Sequence, residues 1–499
     1  MNQSILARGT FTFLAHGSKS LITVVTGFLL ARLMGPDDFG LMSFLIATFV
    51  SFRGLIDLGS SSAFYTFISG GSERYSFFIR YFFWLGLQLI LPLIIIALVF
   101  PDKWIVLIWQ QGDRFLILLA FCAVFSQHSI WATVAQIGDS ERRTYLIQTA
   151  AFLISVCHLL VVIILWYYES VGIVGVLVAT LVEHVLTALV VYRMLNPKQK
   201  SLQNLQADDT STALRRFIEY CKPLVPYIFC GFFASFGDRW ILQNFSGSSE
   251  QAFYAVGWQF SSIALLATMA FTRIFWKEIA AAHSIGDAEK LNSLYSRFTT
   301  ILYFISTVIA CALVFWTEEL IILTLGDEYS SGSLTLMILL FIPLHQSLGQ
   351  IQGAFLYATE NSKLLAVVGS ITLMVGLFFG YLMMAPSYAA IPGLHLGASG
   401  LAAKVVAFQI INVNVLNYLI SSKMGWKFKW GYQFAIPLLC LAIGWLSSIL
   451  SRALVNGILE SLLVYLIIYG VFIALSVFLA PRVIGLTRDQ LFDRSTYFT

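Results

Sequence analysis

Fourteen times along this chain, a stretch of about 20 residues passes with scarcely a charge, which is the length an α-helix needs to cross a bilayer. The first six are Phe11 to Leu33, Gly40 to Ile68, Phe78 to Phe100, Phe115 to Ile137, Tyr145 to Tyr168 and Val171 to Leu195. Pro223 to Phe245, Phe253 to Trp276, Phe298 to Trp316 and Gly332 to Tyr357 follow. Leu364 to Ala385, Leu396 to Ile420, Tyr432 to Leu450 and Val455 to Ala480 complete the set; twelve remain if the last pair lies differently. Composition excludes a soluble reading of the 499 residues: 58% are hydrophobic, only 11% are charged, and mean hydropathy is +0.82. A water-facing surface needs about 25% charged residues. The chain is expected to be an all-α, polytopic membrane protein with about 14 transmembrane helices.

The charges that remain define orientation. Of 30 Lys and Arg, 21 fall in the connections that include both chain ends and only four (Arg32, Lys103, Arg114, Arg452) in the opposite set. By the positive-inside rule both termini are cytoplasmic. A net charge of +4 is too small to argue for a nucleic-acid partner. The six cysteines form no CxxC pair and have no His at ligand spacing, so they read as small buried hydrophobes rather than disulfides or a zinc site. P-loop, HExxH and GxSxG patterns are absent, which gives no sign of an enzyme or of a cofactor.

The longest polar connection, Asn196 to Lys222, divides the chain, and two stretches echo across it. Leu30 to Gly40 leaves the first span as Leu242 to Ala252 leaves the seventh, at an offset of 212; Gly172 to Gly175 corresponds to Gly397 to Gly400 at 225. Six spans separate the partners, so the copies run in the same direction. The expected architecture is two six-helix bundles, 1–195 and 223–422, related by a parallel repeat around a central cavity. The basic linker 196–222 joins them, and 423–499 adds two helices, read as an appendage, and a cytoplasmic tail.

The stretch Leu29-Leu30-Ala31-Arg32-Leu33-Met34-Gly35-Pro36-Asp37-Asp38-Phe39-Gly40 resembles the first-loop pattern of the polysaccharide transporter family, and so does Asp57-Leu58-Gly59. Asp238-Arg239-Trp240-Ile241-Leu242, Gly286-Asp287 and Gly326-Asp327-Glu328-Tyr329 continue the resemblance in order. That family belongs to the multidrug/oligosaccharidyl-lipid/polysaccharide exporter superfamily and includes the Wzx-type O-antigen flippases. The resemblance covers nearly the whole chain. It implies alternating-access flipping of an undecaprenyl-pyrophosphate-linked oligosaccharide from the cytoplasmic to the periplasmic leaflet of a bacterial inner membrane. The pathway would be O-antigen (lipopolysaccharide) or exopolysaccharide synthesis, with a glycan polymerase and chain-length regulator as companions.

Eight charges lie inside spans, each at a cost of roughly 2.5–3.5 kcal/mol for a central cation on the insertion scale. Charges kept at that cost line a pathway. Lys19, Arg53, Arg239, Arg273 and Lys404 are the candidate substrate-binding cations, because cationic side chains match phosphate oxygens. Lys19, Arg53 and Arg273 lie on the first, second and eighth spans, where related lipid-linked peptidoglycan-precursor flippases place cations. Arg53 and Asp57 are four residues apart, so an internal ion pair fits as well as ligand contact. Lys404 fits snorkelling to the outer face. Asp57, Glu183 and Asp238 are the candidate ion-coupling acids. Glu183 reads as a lone carboxylate about 17 Å along the sixth span at 1.5 Å per residue, fit for a proton, a sodium ion or a structural hydrogen bond. Asp238 and Arg239, about 100° apart, cannot pair with each other, and at least one is expected to meet another helix. His16, His158, His184 and His345 are expected to be packed and hydrogen-bonded. Trp84, Trp104, Trp109, Trp166, Trp316, Trp426 and Trp430 are expected to form an interfacial belt. The rival readings are a cation-coupled multidrug exporter, which would want an acidic cavity, and a membrane-embedded glycan polymerase, which would want a large outer loop.

Overall fold

The computed structural model describes residues 5–69, 75–195, 210–426, 428 and 430–484, with side chains left out at 5–14, 75–77, 210–213, 266–274, 277 and 482. The described residues are helical almost throughout, and every predicted span falls on helix. Eleven stretches among them are long and apolar enough to cross a membrane. One, Ala15–Asp57, is 43 residues long and carries two predicted spans. The protein is therefore multi-pass; the count of fourteen belongs to the sequence.

The long first helix, Ile5–Asp57, is broken at Gly35 (φ 74, ψ 169). A Cβ is disfavoured in that left-handed region, and Pro36 has no N–H to leave unpaired at the new helix start. The helices Val225–Ser246 and Ser248–Ser284 meet at Gly247 with φ 84 and ψ −174. Gly35 and Gly247 are 212 residues apart, the offset of the sequence repeat, so the two copies share one backbone break. They also touch: Ser249 donates a hydrogen bond to Asp37, its equivalent in the other copy. Backbone approaches closely there, since a Cβ on Gly40 would lie 1.8 Å from the Ser248 carbonyl oxygen.

Other interruptions have local causes. Asp57 ends the first helix, Leu58 (φ 49) and Gly59 (φ 80) turn the chain, and Ser60–Ser69 continues. Pro92 precedes a π-helical turn at Ile95–Val99, and a second π turn, Ser126–Trp131, interrupts the fourth predicted span. Where the third span ends, Arg114 donates to the carbonyls of Ile96 (2.6 Å) and Phe100 (2.6 Å) while meeting Asp102 at 2.7 Å. Carbonyls orphaned at a helix end are thereby satisfied away from water.

The chain forms two compact units, 1–252 with 377–397, and 253–376 with 398–499. The division falls at Ala252/Phe253 rather than at the linker, because Val225–Ser246 packs on the first helix. Within the first unit Phe44, Phe49, Ile117 and Phe121 form one core, and Phe64, Tyr81, Trp131 and Ile154 another. Two tryptophans expected in the belt are core instead: Trp109, 5% exposed, stacks on Phe49, and Trp316 is 2% exposed. Trp104 and Trp166 do face outward.

In the second unit the last two helices, Tyr432–Leu454 and Ile458–Leu479, are part of the core and not an appendage. Tyr303 donates to the Gln433 carbonyl (2.8 Å) and Tyr469 to the Val308 carbonyl (3.0 Å). The Asn414 and Gln433 side-chain amides bond each other both ways, at 3.2 and 3.0 Å. Cys311, Cys440 and Tyr465 are fully packed between these helices and Ala288–Val314. Truncation after Met424 is expected to abolish monodisperse protein in fluorescence-detected size-exclusion chromatography, because it strips this core; an unchanged elution peak would make the pair an accessory.

Candidate functional site

The first unit gathers most of the intramembrane charge. Arg53, near the end of the first long helix, donates from Nε to Ser129 Oγ at 3.1 Å and approaches Asp57 at 3.9 Å. Its partner Ser129 sits on the π turn Ser126–Trp131, which also carries His128. A π turn swings side chains away from the positions an α-helix would give them, and such turns recur at functional sites. Arg53, Lys19 and His184 all lie within electrostatic reach of the His128 ring. Lys19, half-buried on the same long helix, has no hydrogen bond or ion pair from its ammonium among the described residues. Its charge also acts on His184. Lys19, Arg53, His128 and His184 thus share one electrostatic neighbourhood.

The sequence reading passed over His128. Its signal was present: Ser126-Gln127-His128-Ser129 is a polar run inside an otherwise apolar span, and polar groups in a span are costly unless used.

Asp57 is buried and occupied. Oδ1 accepts from Ser60 Oγ (2.9 Å) and the Ser61 backbone N–H (3.1 Å), and Oδ2 from Ser61 Oγ (2.9 Å). This carboxylate caps the helix that starts at Ser60, and the turn at Leu58-Gly59 brings it there. The Arg53–Asp57 ion pair expected from spacing is present, though long.

Glu183 is not a lone carboxylate. Its Oε2 lies 2.9 Å from His158 Nδ1, across the helices Ile173–Leu195 and Thr144–Tyr167. Its other oxygen, Oε1, is buried with no hydrogen-bond partner among the described residues. Hydropathy along one helix does not show which group stands opposite on the next. His184 contacts the Thr180 carbonyl through Nδ1 at 2.7 Å; His345 packs edge-on against Tyr303 with its buried Nδ1 outside any hydrogen bond among the described residues, and His16 is exposed rather than packed.

Arg239 stands apart from this group. Nη1 donates to Gln251 Oε1 (3.0 Å), and Gln251 Nε2 returns a bond to the Arg239 carbonyl (2.5 Å), which clamps the two helices that meet at Gly247. Trp240 Nε1 donates to the Leu107 carbonyl at 2.9 Å. Residues of the Asp238-Arg239-Trp240 motif therefore do meet neighbouring helices. One carboxylate oxygen of Asp238, Oδ1, is buried.

The remaining two cations are in the second unit. Lys404 is 7% exposed, so it does not snorkel. Its stem lies over Gly376, where an added Cβ would come within 3.2 Å of Cε, and the missing side chain opens that room. Arg273 is on Ser248–Ser284, and its side chain lies outside the described residues.

Residues 5–268 match the family described as polysaccharide biosynthesis protein, which is more than half the chain, and this protein belongs to that family. Its fold is that of transporters of the MOP superfamily, the exporter superfamily named above. The lipid II flippase MurJ, in an inward closed conformation, superposes with a TM-score of 0.70 at 16% identity, covering 93% of this chain and 99% of that one. A multidrug resistance MATE family transporter, inward-facing, gives 0.60 at 16% identity, over 82% and 94%. A MOP superfamily transporter from Pyrococcus furiosus gives 0.56 at 16%, over 84% and 95%. No curated protein matches the chain.

The cap role of Asp57 has a measurable consequence. Asp57→Ala is expected to cost about 1 kcal/mol through loss of the cap, and Asp57→Asn, which keeps an acceptor, less than half of that. Thermal unfolding of the purified variants in one detergent checks the order.

Proposed function

We propose that the protein is a flippase that carries an undecaprenyl-pyrophosphate-linked oligosaccharide from the cytoplasmic to the outer leaflet of a bacterial inner membrane. It would serve O-antigen or exopolysaccharide synthesis, with a glycan polymerase and chain-length regulator downstream. Family membership and the transporter fold support the class. The observation that carries the reading is the cationic group inside the first unit: Lys19 with no ionic partner among the described residues, and Arg53 bonded to Ser129 on the π turn that carries His128.

In this reading Lys19 and Arg53 hold the pyrophosphate, Arg273 and Lys404 act from the second repeat, and Arg239 fixes the helix junction at Gly247. The polyprenyl tail stays in lipid. The two repeats open alternately to each face, with both termini cytoplasmic. A membrane potential negative inside favours outward movement of an anion by about 2.3 kcal/mol per charge per 100 mV. Glu183, with Asp57 and Asp238 as the other acids, supplies ion coupling. The chain acts as a carrier rather than an enzyme, and a cationic group of this kind suits an anionic headgroup better than a cationic drug.

Lys19→Ala and Arg53→Ala are each expected to reduce surface glycan at least tenfold at unchanged protein level, with lipid-linked precursor accumulating on the cytoplasmic face. Loss of one charge-assisted bond to phosphate, about 1.5–3 kcal/mol, sets that scale. Normal glycan in both variants at normal expression removes the assignment.

A further inference from the structure

Serines inside the spans of this protein mostly turn their hydroxyls back on their own helix. Ser51 donates to the Ala47 carbonyl, Ser126 to Ala123, Ser140 to Ile137 and Ser155 to Ala151. Ser129 differs. It is 1% exposed, and its Oγ accepts from Arg53 Nε at 3.1 Å, the only side-chain hydrogen bond it makes among the described residues. The π turn Ser126–Trp131 aims it there, because the wider turn rotates the side chain off the regular helical position.

The bond matters because of what stands near the other edge of the guanidinium. Asp57 Oδ1 lies 3.9 Å from Arg53 Nη2, outside hydrogen-bond range. That carboxylate is not free to advance. Ser60 and Ser61 hold its oxygens at 2.9 to 3.1 Å, and Ser60 Oγ is met in turn by Trp84 Nε1 (3.1 Å) and Gln88 Nε2 (3.4 Å) from the helix Tyr75–Ile94. Arg53 is the mobile partner: its side chain is long and 21% exposed. A shift of about 1 Å would bring it to ion-pair contact.

Ser129 opposes that shift. Held from Nε, the guanidinium keeps Nη1 and Nη2 outside any hydrogen bond among the described residues. Their N–H groups are left for an acceptor from outside the chain, in the planar arrangement that matches a pair of oxyanion oxygens. Without the hydroxyl, Nε loses its acceptor while Asp57 stands within reach, so the arginine settles on Asp57.

We propose that Ser129 is a positioning residue: its bond to Nε holds Arg53 short of Asp57 and keeps the Nη edge open to an oxyanion. The use of that edge for a pyrophosphate headgroup rests on the flippase reading; the restraint on Arg53 does not.

Two measurements test it on the full chain in nanodiscs. In the first, no ligand is present. Phenylglyoxal, which attacks the Nη groups of an unpaired guanidinium, labels the protein, and the Arg53 peptide is followed by mass spectrometry. Ser129→Ala is expected to slow labelling severalfold, and Ser129→Ala combined with Asp57→Asn to recover at least the wild-type rate. An unchanged rate in Ser129→Ala overturns the proposal, and so does slow labelling that persists once Asp57 is neutralised.

In the second, inorganic pyrophosphate is titrated calorimetrically. Ser129→Ala is expected to weaken its binding about tenfold, the scale of one lost charge-assisted bond. In the Asp57→Asn background the same substitution is expected to cost about twofold or less, a non-additivity that a merely structural serine does not produce. Losses of the same size in both backgrounds overturn the positioning role. Wild-type protein that fails to bind pyrophosphate, with the labelling pattern as expected, counts against the flippase reading and for the restraint on Arg53.

Discussion

A charge that cannot reach water must be met by something else, and inside a bilayer that requirement orders nearly every polar contact in this protein. Arg114 is spent on two helix-end carbonyls and Asp102. Arg452 meets Glu319 at 2.7 Å and lies over the Trp316 ring at 4.8 Å. Arg239 is taken up by Gln251, and Lys423 donates to Asn361. These cations fasten helices to one another. Against them Lys19 stands out, since its ammonium has no such duty among the described residues, and the Arg53 partnership with Asp57 is a loose one at 3.9 Å. Structural charges in this fold are tied to short contacts, and the exceptions cluster.

The backbone breaks serve the same economy. A continuous helix satisfies its own carbonyls, so each interruption needs a local remedy. At Asp57-Leu58-Gly59 the carboxylate that ends one helix caps the next. The π turn at Ser126–Trp131 keeps the backbone hydrogen-bonded while it redirects Ser129 toward Arg53 and brings His128 into its field. Breaks and buried charges fall together because a regular helix would aim those side chains elsewhere.

Much of the fold was legible because hydropathy acts over 20 residues at a time. The spans, the outward-facing Trp104 and Trp166, and the repeat that proved to share glycine breaks at Gly35 and Gly247 all carry signals along the chain. What the chain direction does not carry is azimuth. Helices such as Ile458–Leu479 are apolar on every side, so nothing in their periodicity distinguishes a face on protein from a face on lipid. The placement of the last two helices, the burial of Trp109 and Trp316, the inward course of Lys404 and the partner of Glu183 were hidden for that reason. The Arg53–Asp57 pair was legible because both lie on one helix, where spacing gives direction.

The hydrogen bond between Asp37 and Ser249 joins positions that the internal repeat makes equivalent. Were the two copies identical at this contact, each residue would meet its own twin, and two aspartates would repel there. Fusing the copies into one polypeptide frees each side to change alone. Here one side has become an acceptor and the other a donor. The contact therefore depends on the two copies differing at this position, and Ser249→Asp would set two carboxylates against each other.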